Sequence, residues 1–226
     1  MSGAPGPRVE AVILDIDGTL LDSNDAHARA FAEAAERLGV AADYEQIRRL
    51  IGKGGDKLIP EAFGFEQDSE QGERLDELKG EIFRGEYLPR LVPTRGAREL
   101  LERFKADGLT LVVATSAGKD DLKGLLERAG IGDLIEDSTS AGDVDESKPD
   151  PDVVQAALDA SGASADQAVM IGDTPYDVEA ARRAGVRIIG VRSGGWDDED
   201  LDGALAVYDD PADLLENYDR SVFGGG

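Results

Sequence analysis

Short, nearly unbroken apolar runs alternate along the chain with stretches in which apolar residues recur every third or fourth position. The runs occupy residues 9–14, 109–114, 168–171 and 187–191. Their length and their Val, Ile and Leu content predict strands buried on both faces of a parallel sheet. Residues 97–106 place apolar side chains at 97, 100, 101 and 104, and residues 122–129, 153–160 and 178–184 repeat that helical spacing. Gly108, Gly130, Gly162 and Gly185 stand just past these stretches, where glycine accommodates the left-handed residue that ends a helix. Strand, helix and strand in succession predict βαβ units and an α/β fold with a doubly wound, mostly parallel, Rossmann-like sheet.

From residue 24 to residue 93 the rhythm changes. Helical patterns at 26–38, 44–51 and 70–87 follow one another with no convincing buried strand. They predict an inserted helical cap domain over 24–93, with 8–23 and 94–220 forming the α/β core domain. Pro89 and Pro93 mark the return to the sheet, since proline does not continue a helix. An insertion beside a strand's carboxyl end lies over the ligand crevice of an open α/β sheet. Residues 1–7 and 221–226, with their Gly, Pro and Ser content, read as flexible termini.

Composition narrows the function. No window approaches ~18 uninterrupted apolar residues, so no membrane-spanning helix is predicted, and the first residues lack a secretory pattern. Without cysteine there are neither disulfides nor thiolate metal sites. A cytoplasmic protein, monomer or homodimer, is expected. Its net charge of −24 argues against nucleic-acid binding, which needs clustered Lys and Arg. The acidic surface fits either ordinary solubility or adaptation to high salt, where self-repulsion is screened.

Candidate chemistry gathers at the predicted strand ends. Asp15-Ile16-Asp17-Gly18-Thr19 follows the first strand. Residues two apart on an extended chain face the same side, so both carboxylates can share one site, and they repel unless a cation stands near. A plain turn is the other reading, Asp-Gly being a common turn dipeptide. Thr115-Ser116 follows the second strand, where a hydroxyl and helix-start N–H groups can hold a phosphate oxygen or simply cap the helix. In Ser147-Lys148-Pro149-Asp150-Pro151 the prolines mount Lys148 rigidly, although a surface lysine is the commoner case. Gly172-Asp173-Thr174-Pro175-Tyr176-Asp177 offers carboxylate oxygens of the kind Mg²⁺ prefers, or a helix cap with a dipole partner. Each segment alone has an ordinary explanation; their joint order along the chain does not.

Together the segments resemble the four motifs of the haloacid dehalogenase-like hydrolase superfamily: D-x-D-G-T, a Thr or Ser after a hydrophobic strand, a Lys often followed by Pro, and G-D-x-x-x-D. The resemblance covers about residues 9–216. Asp22-Ser23, the Asp25-Ala26-His27-Ala28 stretch and a helical cap between the first two motifs are similar to the phosphoglycolate phosphatase and β-phosphoglucomutase branch. The resemblance implies a Mg²⁺-dependent phosphatase acting on a small phosphorylated metabolite, of phosphoglycolate or sugar-phosphate type, through an aspartyl-phosphate. Asp15 is then the nucleophile and Asp17 the general acid and base. Asp15, Asp173, Asp177 and the backbone carbonyl of Asp17 surround the metal. Thr115, Ser116, Gly18 and Lys148 hold the phosphoryl group, with Lys148 also orienting Asp15. Lys53, in the glycine-rich turn 52–58, becomes the candidate for contact with the leaving group, and His27 is expected to pack or hydrogen-bond rather than react.

Other family chemistries fit less well. Haloacid dehalogenases and phosphonate hydrolases replace the aspartate found here as Asp17. Mutases of the β-phosphoglucomutase type keep it, but they commonly carry Glu-Asp where this chain has Gly172-Asp173, which favours hydrolysis. A non-catalytic binding protein with this fold is expected to have lost one of Asp15, Asp17 and Asp173. The acid excess supplies a test of its own. Adaptation to high salt predicts unfolding at low ionic strength and recovery at molar salt, followed by circular dichroism; indifference to salt removes that reading.

Overall fold

The apolar runs pair into one sheet. The computed structural model describes residues 8–224; residues 1–7 and 225–226, expected to be flexible termini, lie outside the described residues. In chain order the elements begin with β1 (Ala11–Leu14), α1 (Asn24–Leu38), α2 (Tyr44–Leu50), α3 (Gly55–Phe63) and α4 (Glu70–Ile82). They continue with α5 (Ala97–Ala106), β2 (Thr110–Ala114), α6 (Lys119–Ala129), β3 (Asp137–Thr139), α7 (Asp152–Ser161) and β4 (Ala168–Gly172). The chain closes with α8 (Pro175–Ala184), β5 (Arg187–Val191), β6 (Val207–Tyr208) and α9 (Pro211–Glu216).

The sheet is parallel throughout, in the order β3-β2-β1-β4-β5-β6. The chain winds outward from β1 in one direction and then from β4 in the other, so the crevice between β1 and β4 is the switch point where such sheets bind ligands. Alternate residues of each strand face opposite sides. Ala11, Ile13, Val112 and Met170 pack with Val153, Ala157 and Ala181 of α7 and α8. Val12, Leu14, Leu111 and Val113 pack with Leu100, Phe104 and Leu125 of α5 and α6. Burial on both faces explains why these strands read as continuous apolar runs rather than as alternating ones. Each fully buried Val, Leu or Ile contributes roughly 1.5–3 kcal/mol.

Helices α1 to α4 follow one another between β1 and β2 with no strand among them. The two connections into and out of this insertion bond to each other: Asp22 N–H donates to Val92 O (3.1 Å) and Thr94 N–H to Leu20 O (3.1 Å). Thr94 Oγ1 adds a bond to Thr19 O at 2.7 Å. Among the described residues, no helix is long and apolar enough to cross a membrane.

Four local features depart from the sequence reading. The edge strands β3 and β6 are short and carry no apolar run; pairing with β2 and β5 creates them. Helix α3 is obscured by glycines at its start and Pro60 within it. The helix expected over 70–87 stops at Ile82 and continues as a π-helical turn, Phe83–Tyr87. Such turns often sit at functional sites. Residues 221–224, expected within the flexible end, are held by packing, with Phe223 4.7 Å from Phe104 and 5.7 Å from Tyr218 between ring centroids. Phe104 is wholly buried beneath that cluster. Phe104→Ala is expected to cost about 3–5 kcal/mol in urea denaturation; a loss below about 1 kcal/mol would contradict its burial.

Candidate active site

The strand register brings the acidic motifs together. Leu14 pairs with Ile171, and Asp15 N–H extends the ladder by donating to Ile171 O at 3.0 Å. Asp15 therefore leaves β1 beside Asp173, which follows the last residue of β4. Thr19 Oγ1 lies 3.2 Å from Asp15 Oδ2 and 3.0 Å from Asp173 Oδ1. Asn24 Nδ2 donates to Asp173 Oδ2 at 2.8 Å. Gly18 must be glycine on two counts: its φ is +79°, and a Cβ there would collide with Asn24 and Asp173.

Lys148, from the third motif, is fully buried beside this pair. Its Nζ stands 2.6 Å from Asp15 Oδ1 and 2.7 Å from Asp177 Oδ1. The residue that caps α8 is Thr174, not Asp173. Thr174 N–H donates to Asp177 Oδ2 at 3.0 Å, and Asp177 N–H to Thr174 Oγ1 at 3.2 Å, a reciprocal capping box. Asp177 is thereby locked with one oxygen toward Lys148.

Oxygens of Asp15, Asp173 and Asp177 lie within 4.8 Å of one another, all three residues buried. Burial, together with the charges of Asp177 and Asp17 and against that of Lys148, pushes Asp15 up to about 7. Burial and the charges of Asp15 and Asp177 hold Asp173 well above the ordinary range. Burial works against the charge of Lys148, but Asp15 and Asp177 outweigh it and raise that lysine. Asp15 and Asp173 are thus both pushed toward keeping a proton. An all-oxygen donor set in that condition fits a hard divalent cation, which would replace those protons.

Asp17 lies apart from the trio. Its Oδ1 accepts from Ser23 Oγ at 2.5 Å and lies 2.9 Å from His27 Nε2. The His27 ring stacks on Phe83, centroids 3.9 Å apart, so the π-helical turn supports the imidazole. Burial raises Asp17, yet the charge and hydrogen bond of His27, with the Ser23 bond, bring it below its ordinary value.

A cavity of about 610 Å³ lies between the helical insertion and the carboxyl ends of the strands, with Asp15, Asp17, Thr115 and Ser116 on its wall. Thr115 Oγ1 accepts from Ala117 N–H at 3.0 Å. Ser116 Oγ is buried there without a hydrogen-bond partner among the described residues, so a hydroxyl is available to a ligand. Lys53 also borders the cavity, but its ammonium pairs with Glu61 and lies 4.8 Å from the centre of the Tyr176 ring. Ser23, which supports Asp17, entered the sequence reading only as part of the branch feature Asp22-Ser23, and Asn24, which supports Asp173, carried no signal beyond standing just after it.

A family model of haloacid dehalogenase-like hydrolases matches residues 12–191. The chain belongs to the haloacid dehalogenase-like hydrolases. A phosphoglycolate phosphatase of Rhodospirillum rubrum is 34% identical over 215 residues, 91% of this chain and 89% of that protein. A validoxylamine A 7'-phosphate phosphatase of Streptomyces hygroscopicus subsp. limoneus is 31% identical over 185 residues, 80% of this chain and 85% of its own. The crystal structure of a hydrolase from Pseudomonas syringae superposes with a TM-score of 0.86 at 34% identity, covering 93% of this chain and 98% of that one. Within the family the chain lies in the phosphoglycolate phosphatase and β-phosphoglucomutase branch, and it is a hydrolase whose kin are phosphatases.

The raised Asp15 makes this family member's stability pH-dependent. In the metal-free fold Asp15 holds its proton to about pH 7, whereas an unfolded aspartate ionises near 3.8. The unfolded chain gives up that proton first, so Asp15 costs stability as pH rises from about 4 to 7, by at most about 1.4 kcal/mol per pH unit. Asp15→Asn lacks this dependence. In chelator, urea denaturation is expected to show the variant gaining on the wild type across that interval; a pH-independent difference would contradict the shift.

Proposed function

We propose that the protein is a Mg²⁺-dependent cytoplasmic phosphatase that hydrolyses a small phosphate monoester through an aspartyl-phosphate on Asp15. The observation that carries this reading is the division of the two motif-one carboxylates between unlike environments. Asp15 is buried beside Lys148 at 2.6 Å, whereas Asp17 is held by Ser23 and His27. Lys148 favours the ionised form of Asp15 that attack requires, and His27 beside Asp17 gives proton transfer a second ionisable group.

In the first step an Asp15 oxygen attacks phosphorus; the new O–P bond forms as the bond to the leaving oxygen breaks. The leaving oxygen takes a proton from Asp17, whose Oδ1 lies 2.9 Å from His27 Nε2. In the second step Asp17 removes a proton from water, the resulting hydroxide attacks phosphorus, and Asp15 departs as carboxylate with inorganic phosphate released. Lys148 offsets the charge on Asp15 and the transferred group throughout. Hydroxyls of Thr115 and Ser116 and N–H groups before α6 suit the phosphoryl oxygens. Asp15, Asp173 and the Asp17 carbonyl, with Asp177 nearby, would hold Mg²⁺, which would supply the remaining charge neutralisation when bound.

The cavity, about 610 Å³, suits a small monoester. The two curated relatives are named for different substrates, phosphoglycolate and validoxylamine A 7'-phosphate, which supports a phosphoglycolate or sugar-phosphate type without choosing between them. Lys53 reaches a leaving group only by giving up Glu61. Hydrolysis rather than mutase chemistry is supported at Gly172, where mutases commonly carry glutamate and where a Cβ in this chain would run into the Asp177 side chain.

Phosphate release from a panel of small phosphate esters, with and without Mg²⁺, tests the assignment. Asp15→Asn is expected to abolish turnover and Asp17→Asn to lower kcat by about 10²–10⁴-fold, both variants remaining folded by circular dichroism. Appreciable activity in Asp15→Asn would overturn the reading.

A further inference from the structure

Ser147 stands one residue before Lys148 and is only 3% exposed, yet its polar atoms are committed to the helical insertion. Ser147 Oγ accepts from Gly54 N–H at 3.0 Å and donates to Asp56 Oδ1. Ser147 N–H donates to Asp56 Oδ2 at 3.3 Å. The approach requires glycine at 54, since a Cβ there would strike the Ser147 side chain. Lys57, the next residue along α3, pairs with Glu146 and, at 3.3 Å, with Asp150. The start of α3 therefore grips the chain on both sides of Lys148, through Ser147 before it and the Asp150 side chain after it.

We infer that Asp56 is a positioning residue for phosphoryl transfer, acting through Ser147 to couple the seating of the insertion over the cavity to the placement of Lys148 against Asp15. This rests on the reading above, in which Lys148 offsets charge on Asp15 and the phosphoryl group. Lysine carries its charge on a flexible four-carbon stem. Where its ammonium lands depends on where its backbone is anchored, and displacements of about 1 Å are enough to impair catalysis severely. When the insertion lifts, Ser147 loses Gly54 and Asp56 together, and the segment carrying Lys148 loses its outer anchor. The charge-compensated site is thus assembled only while the cavity is covered. A purely structural role predicts something else. The Asp56 side chain is 34% exposed, and a carboxylate so placed adds little to stability, so its loss would leave the kinetics unchanged.

A double-mutant cycle separates these outcomes. Wild type, Asp56→Asn, Lys148→Met and the double variant are compared for kcat and KM on p-nitrophenyl phosphate in Mg²⁺, together with Tm. Asp56→Asn weakens a charge-assisted bond, and kcat is expected to fall about tenfold, with Tm nearly unchanged. Ser147→Ala removes the hydroxyl without altering charge and is expected to reproduce that loss. Lys148→Met is expected to lose more than about 100-fold, and adding Asp56→Asn to it to cost no more than about twofold beyond that, because the route through Lys148 is already broken. A wild-type kcat in Asp56→Asn, or its full tenfold loss recurring in the Lys148→Met background, overturns the positioning role alone. Near-wild-type activity in Lys148→Met removes the underlying reading and the inference with it.

Discussion

Three buried carboxylates share one buried ammonium, and the rest of the site is arranged around that imbalance. Lys148 touches Asp15 and Asp177, while Asp173 relies on neutral donors, Thr19 and Asn24. Charges taken out of water are costly unless they are paired, and here the pairing is incomplete. The raised affinities of Asp15 and Asp173 for protons express that deficit. A divalent cation removes it, which makes the trio a poor choice for mere stability and a good one for holding metal and phosphate.

The sheet supplies the rigidity this arrangement needs. Asp15 and Asp173 extend two neighbouring central strands whose register is set by burial on both faces. Asp177 is pinned by the capping box at the start of α8. Lys148 reaches the trio from a loop, and that loop is the segment braced by the insertion. The least regular part of the core thus receives outside support, consistent with the need to hold catalytic geometry within fractions of an ångström.

The same logic separates the two aspartates of the first motif. They stand two residues apart, but Gly18 at φ +79° turns the chain sharply after Asp17, and the Asp17 carboxylate meets Ser23 and His27 instead of the trio. The π-helical turn that follows α4 places Phe83 flat against His27. An element of the insertion therefore shapes the surroundings of a core carboxylate, and in the proposed reaction it tunes the proton donor.

Much of this was legible in the residue pattern, and the physical reasons are plain. Strands buried on both faces must be apolar throughout, so β1, β2, β4 and β5 stand out. Helices must end, so glycines mark their ends. Carboxylates, a lysine and hydroxyls at strand ends belong to motifs specific enough to name the family before any fold is seen. The edge strands β3 and β6 were hidden because partners, not their own residues, make them strands, and α3 was masked by Gly and Pro. Sequence spacing likewise carried no sign that Asp56 and Ser147 meet across 91 positions, that Thr174 rather than Asp173 caps α8, or that Asp17 turns to His27. The sequence by itself determined which chemistry the chain carries, because local pattern and composition dictate element type and functional groups. Only the tertiary structure decided which groups share charge and which stand apart, because that depends on distances between residues remote in the chain.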